Sequence, residues 1–111
     1  MFLSTSHNKI DKKGRVSVPR NFRTYLDLEG GSLILFKSLQ FKCIEGTTFK
    51  RINQYVEAID EIDSMSKDAS ILRMMIADSF EIKYDSEGRI NIPESLLSYG
   101  NINDVAVFTG I

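Results

Sequence analysis

Asp11-Lys12-Lys13-Gly14-Arg15-Val16-Ser17-Val18-Pro19 returns later in the chain as Asp85-Ser86-Glu87-Gly88-Arg89-Ile90-Asn91-Ile92-Pro93. Both stretches read D-x-x-G-R-[VI]-x-[VI]-P, at an offset of 85 − 11 = 74. Agreement at a Gly, an Arg and a Pro together is hard to obtain by chance, and internal repetition is the strongest single clue to architecture. Two copies are too few for a solenoid. They are expected to pair about a pseudo-twofold axis within one chain.

Each copy carries its own local instructions. Asp favours the first position of a tight turn, where its carboxylate accepts backbone amides, and Gly accepts the left-handed conformation that ends it. Flanked by Lys9-Ile10 and Arg15-Val16-Ser17-Val18, the first turn reads as a hairpin. Side chains alternate along a strand, so Val16 and Val18 face inward while Arg15 and Ser17 face outward. In the second copy Ile90 and Ile92 face inward, Arg89 and Asn91 outward. Each strand then meets a Pro, which suits the first turn of a helix. Phe22, Tyr25 and Leu26 follow at helical spacing before Gly30-Gly31; Leu96 and Leu97 follow before Gly100, a C-terminal stop.

Leu33-Ile34-Leu35-Phe36 is a short apolar run of the buried-strand kind, and Val105-Ala106-Val107-Phe108 is its counterpart at an offset of 72. Phe41–Glu45 reads as a further strand ending at Gly46, with Cys43 an ordinary strand residue. Between the copies, Phe49, Ile52, Tyr55, Val56, Ile59 and Ile62 recur at helical spacing. Ser66 is the expected N-cap of a second helix with Ala69, Leu72, Met75 and Ile76 on its inner face. Glu57, Asp60, Glu61 and Asp63 form a solvated acidic face. The expected organisation is a first repeat over 1–46, a helical connector over 47–77, and a second repeat over 78–111 that lacks its closing strand. The apolar 105–108 strand is therefore expected to carry an exposed edge.

The chain has 111 residues and a formal net charge of −1, with hydrophobic and charged fractions ordinary for one globular domain. No apolar run approaches the roughly 20 residues of a membrane helix, and Met1-Phe2-Leu3 passes at once into polar residues, so neither a membrane span nor a signal sequence is expected. The near-neutral total hides a polarity. Residues 1–23 carry Lys9, Lys12, Lys13, Arg15, Arg20 and Arg23 against Asp11 alone, which leaves the rest of the chain acidic. Such asymmetry points to an anionic partner at one end.

No catalytic or metal constellation is legible, so the chain is not expected to be an enzyme or to need a cofactor. His7 and Cys43 are the only histidine and cysteine, which leaves no thiolate cluster and no His-based metal site within one chain. Asp11 and Asp85 are better placed to cap their turns than to act as an acid–base pair. What remains is the arginine-bearing turn. A guanidinium can bond phosphate or grip guanine bidentately in the major groove, which admits a two-stranded ribbon. Lys12 and Lys13 on the turn, Arg15 on the strand, and Arg20 and Arg23 on the helix are expected to form one compact cationic surface. Arg89 is the second-copy counterpart of Arg15, in less basic surroundings.

The repeated motif followed by a helix and a strand resembles the SpoVT-AbrB DNA-binding domain. Two copies separated by a helical pair resemble the MraZ family of bacterial transcriptional regulators, and the resemblance covers essentially the whole chain. It implies an α+β, mainly β fold: a double-split, swapped-hairpin β-barrel. It also implies a cytoplasmic, nucleoid-associated protein, ring-shaped homo-oligomers, and binding of double-stranded DNA at short direct repeats in the promoter of its own division and cell-wall operon. Carried over by position, the DNA contacts are Lys12, Lys13, Arg15 and Arg23, with Arg89 as the second-motif arginine. Tryptophan is absent, and the family's closing strand and helical tail have no counterpart before Ile111. The rival readings are an antitoxin of the same fold and an oligomeric scaffold with reduced DNA binding.

Overall fold

In the computed structural model, which describes residues 5–61 and 66–110, both Asp-x-x-Gly turns form, but neither closes a hairpin. In chain order the elements are β1 (Thr5–Lys9), β2 (Arg15–Ser17), α1 (Arg20–Leu28), β3 (Leu33–Lys37), β4 (Ile44–Thr48), α2 (Phe49–Glu61), α3 (Lys67–Ala77), β5 (Phe80–Ile82), β6 (Arg89–Asn91), α4 (Glu94–Tyr99) and β7 (Val105–Thr109). The strands on either side of a turn separate. β2 pairs antiparallel with β6 from the other repeat, β1 pairs with β7, and β3 pairs with β5 and β4. The expected local hairpins are thus exchanged between repeats. A local hairpin would leave each repeat's apolar strand face without a mate, whereas the exchange buries Val16 against Ile90 at the centre of the chain.

The pseudo-twofold axis is written in the register. Val16 faces Ile90, Arg15 faces Asn91, and Ser17 faces Arg89, so exchanging the two copies reproduces the ladder. The outer pairings obey the same symmetry. Leu33↔Ile82 and Leu35↔Phe80 in one sheet match Ala106↔Asn8 and Phe108↔Ser6 in the other. This makes Ala106 the partner of Leu33 at an offset of 106 − 33 = 73, not the 72 that apolar runs alone suggest. The difference lies in the helices. α1 has nine residues and α4 six, and a longer connection after α4 recovers most of the deficit.

Both helices follow their Pro, which sits just before the first helical residue, as N-cap rather than within the first turn. Both end in the same way. The Gly31 amide donates to the Leu26 carbonyl (2.7 Å) and the Ile102 amide to the Leu97 carbonyl (2.9 Å), the long bond of a Schellman motif. The positive-φ residue directly after the C-cap is Gly30 in the first copy, with Gly31 (φ 80°) following it. In the second it is Asn101 (φ 52°), not Gly100.

One core draws on both repeats: Val16, Val18, Phe22, Leu26, Leu33 and Leu35 from the first, Ile90, Ile92, Leu96 and Ala106 from the second. Phe22 meets Phe108 edge to face, with ring centroids 6.1 Å apart. Helices hold more residues than strands, so the fold is α+β with small antiparallel sheets and is not mainly β. Among the described residues the sheets do not close into a barrel.

Two further expectations need correcting. Cys43 is exposed and precedes β4 rather than lying in it. The Ser38 hydroxyl accepts the amides of Gln40 and Phe41, and the Ser38 amide donates to the Cys43 carbonyl, so residues 38–43 form a loop and the strand starts at Ile44. The helical pair also buries less than its periodicity promised. Ser66 caps α3 by accepting the Ala69 amide, and Ile52 and Ala69 are buried, but Phe49, Tyr55, Val56, Ile71 and Met74 are exposed. Glu57 and Glu61 are exposed as expected; Ile62 and Asp63, and the side chains of Ile59 and Asp60, lie outside the described residues. β7 has β1 on one edge, with no second partner among the described residues.

Candidate nucleic-acid interface

The β2–β6 ribbon has a buried face and an outward face. Val16 and Ile90 point into the core; Arg15, Ser17, Arg89 and Asn91 point away from it. Directly paired residues share a face, so Arg15 and Arg89 occupy diagonal corners of a four-residue patch, with roughly 7–8 Å between such diagonal neighbours.

Each arginine is tied to its own turn. The Asp11 carboxylate accepts the amides of Lys13 and Arg15 (2.9 Å each) and the Arg15 Nε (2.7 Å). Asp85 accepts the amides of Glu87 (2.9 Å) and Arg89 (3.0 Å) and the Arg89 Nε (3.1 Å). These donors, led by the arginine amide in each copy, hold both carboxyls below the usual aspartate value. Gly14 (φ 81°) and Gly88 (φ 77°) close the turns in the left-handed region. Nε is thus engaged by the turn's own aspartate in both copies.

The turns are not equivalent. Lys12 and Lys13 stand exposed on the first, whereas Ser86 and Glu87 occupy the second. Glu87 makes a further contact with Arg89, 3.4 Å from Nη2. Arg15 therefore answers to one carboxylate and Arg89 to two.

The ribbon also separates residues that are neighbours in sequence. Antiparallel pairing sets the two turns at opposite ends. The Ile92 amide donates to the Gly14 carbonyl at one end, and the Val18 amide to the Gly88 carbonyl at the other. α1 therefore starts beside the second turn, not the first. Arg23 is half-buried, donates from Nε to the Val18 carbonyl (3.1 Å), and lays its guanidinium on Gly88. A Cβ built on Gly88 would lie 2.6–2.9 Å from Nη1, Cζ and Nε of Arg23. Arg20, exposed, opens α1 at that same end. The single compact cationic surface expected from sequence is replaced by two groups. Lys12, Lys13 and Arg15 stand at one end, and Arg89, Arg23 and Arg20 at the other. Which end α1 reaches depends on the strand exchange, which local sequence does not reveal.

His7 is an exposed β1 residue facing Val107 across the ladder. Among the described residues no cluster of His, Cys, Asp and Glu could hold a metal ion, and no helix is long and apolar enough to cross a membrane.

A family profile described as "MraZ protein, putative antitoxin-like" matches residues 1–74. Relatives named Transcriptional regulator MraZ match along nearly the whole chain. The one from Pelagibacter ubique is 38% identical over 112 residues, spanning 99% of this chain and 72% of its own. The one from Rhodospirillum rubrum is 36% identical, spanning 99% and 74%. The one from Rickettsia canadensis is 35% identical, spanning 99% and 75%.

Proposed function

The chain belongs to the MraZ family, and we propose that it is a transcriptional regulator that grips double-stranded DNA with the outward face and turns of its β2–β6 ribbon. One observation carries this reading: two arginines stand diagonally on the exposed face of a two-stranded ribbon, with lysines on the adjoining turn. A ribbon of this width enters the major groove, where a guanidinium reads guanine edges. Arg15 is the principal base reader. Lys12 and Lys13 neutralise phosphates beside it, and Arg20 and Arg89 serve the far end of the ribbon.

One chain offers few base contacts, so specific binding needs several chains acting together. We assign the target as direct repeats in the promoter of the protein's own division and cell-wall operon, read by a ring-shaped homo-oligomer in the cytoplasm and nucleoid. The apolar residues left exposed on α2 and α3 support self-association. The exchanged strands support a swapped-hairpin architecture for the two repeats, placed at 1–46 and 78–111 about a connector at 47–77. The test is titration of the DNA upstream of the protein's own gene against unrelated DNA of equal length. Preference for the former, lost in Arg15→Ala with folding intact, is the expected result; equal affinity for both sequences would overturn the reading.

A further inference from the structure

Arg23 belongs to the first motif in sequence and to the second in space. Its guanidinium lies flat on Gly88, with Nη1, Cζ and Nε all within 2.9 Å of where a Cβ would stand. Its Nε also donates to the Val18 carbonyl, next to the Val18 amide that donates to Gly88. One side chain thus presses on the second turn and bonds to the strand beside it.

The first turn has no such clasp. The residue matching Arg23 at the repeat offset is Leu97, which packs against the core. Apart from Gly14's own chain neighbours, the nearest atom to a Cβ built there is the Asn91 Oδ1, at 3.3 Å, and no guanidinium from α1 or α4 comes within 4 Å. The asymmetry comes from what packs on the turns, because the Asp–Arg bonding inside them is the same in both copies.

We propose that Arg23 is a positioning residue and not a phosphate contact. It fixes the shape of the second turn, and through that turn the direction of Arg89, while the lysine-bearing first turn stays open to adjust to DNA. The proposal builds on the DNA-binding reading for its consequence, but the clasp itself can be tested without DNA. A planar guanidinium with an Nε donor is what the contact requires, and an ammonium supplies neither. Arg23→Lys should therefore fail as Arg23→Ala does, although it keeps the charge.

The experiment has two arms. In the protein without DNA, amide exchange is followed at Gly88 and Val18, with Gly14 and Ile92 as the symmetry-related controls. Both variants should speed exchange at Gly88 and Val18 by about tenfold, the size expected for losing a hydrogen bond from a charged donor, and leave the controls unchanged. In DNA titrations across a salt series, both variants should keep the wild-type salt slope. A phosphate contact would lower the slope by about one per chain in Arg23→Ala and spare it in Arg23→Lys. The proposal is overturned by wild-type exchange in Arg23→Lys, by equal acceleration at all four amides, or by a reduced slope in Arg23→Ala. Failure of the wild-type protein to bind DNA would overturn the functional reading and leave the exchange arm decisive for the clasp.

Discussion

Replacing Arg15 and Arg89 separately by alanine sets two chemically matched sites against each other. Each arginine donates Nε to the aspartate of its own turn, so the structural loss from the two substitutions should be alike. Their readiness to bind DNA differs. Arg15 meets one carboxylate at 2.7 Å and lies beside Lys12 and Lys13. Arg89 meets Asp85 at 3.1 Å and Glu87 at 3.4 Å, and its turn carries no lysine. Losing a bidentate base contact costs about 1–3 kcal/mol, or roughly 5- to 150-fold in affinity, and the effect multiplies across cooperating chains. Arg15→Ala should fall in that range per chain. Arg89→Ala should cost about 1 kcal/mol or less, since a guanidinium already held by two exposed carboxylates gains little from exchanging them for DNA. Fluorescence anisotropy at one fixed salt concentration measures both, with urea unfolding of each variant as the control. Equal losses of affinity in two equally stable variants would refute the argument from turn asymmetry.

Three other expectations follow from the same geometry. Ile90→Ala removes the residue that meets Val16 at the pseudo-twofold axis and should lower unfolding stability by about 2–5 kcal/mol, read from the urea midpoint. Asp11 and Asp85 have folded pKa values below 3.8, so their contribution is present above that value and drains away as pH falls through the lower folded values; replacing both by Asn should flatten the pH dependence of stability below about pH 4 in acid titrations followed by circular dichroism. Glu87→Lys releases Arg89 and makes the second turn resemble the first; it should tighten DNA binding and steepen the salt dependence by about 0.9 per chain in log–log terms, whereas no change would place the second turn away from DNA.

Much of this was legible in the chain, for reasons that can be stated locally. Gly14 and Gly88 announced left-handed positions, Pro19 and Pro93 announced helices, and Ser66 announced a cap, because each depends on a few adjacent residues. The repeat itself pointed to a pseudo-twofold axis, and the β2–β6 register has it. The hairpin reading failed because an Asp-x-x-Gly turn reverses the chain without choosing the partner strand; burying Val16 with Ile90 made that choice. The same exchange carried Arg23 to Gly88, a relation between residues 65 positions apart that no local pattern encodes. The apolar character of Phe41, Cys43 and Ile44 suggests a strand over 41–45, but the Ser38 hydroxyl accepts the Gln40 and Phe41 amides and holds the first part of that stretch in a loop. The apolar spacing of α2 marks a helix without saying what covers its apolar side; one chain buries Ile52 from it and leaves Phe49, Tyr55 and Val56 exposed.

If neighbouring chains read DNA jointly through their basic turns, binding must depend on the spacing of adjacent repeats. The most direct test is footprinting of the full-length protein on the DNA upstream of its own gene, with and without half a helical turn inserted between adjacent repeats. Turns presented by adjacent chains can engage together only repeats that lie on one face of the duplex. Joint reading gives protection of successive repeats on the native sequence and its collapse on the insertion, with the single-repeat signal weak in both. Equal protection of both sequences, or none on either by a folded protein at low salt, would contradict it.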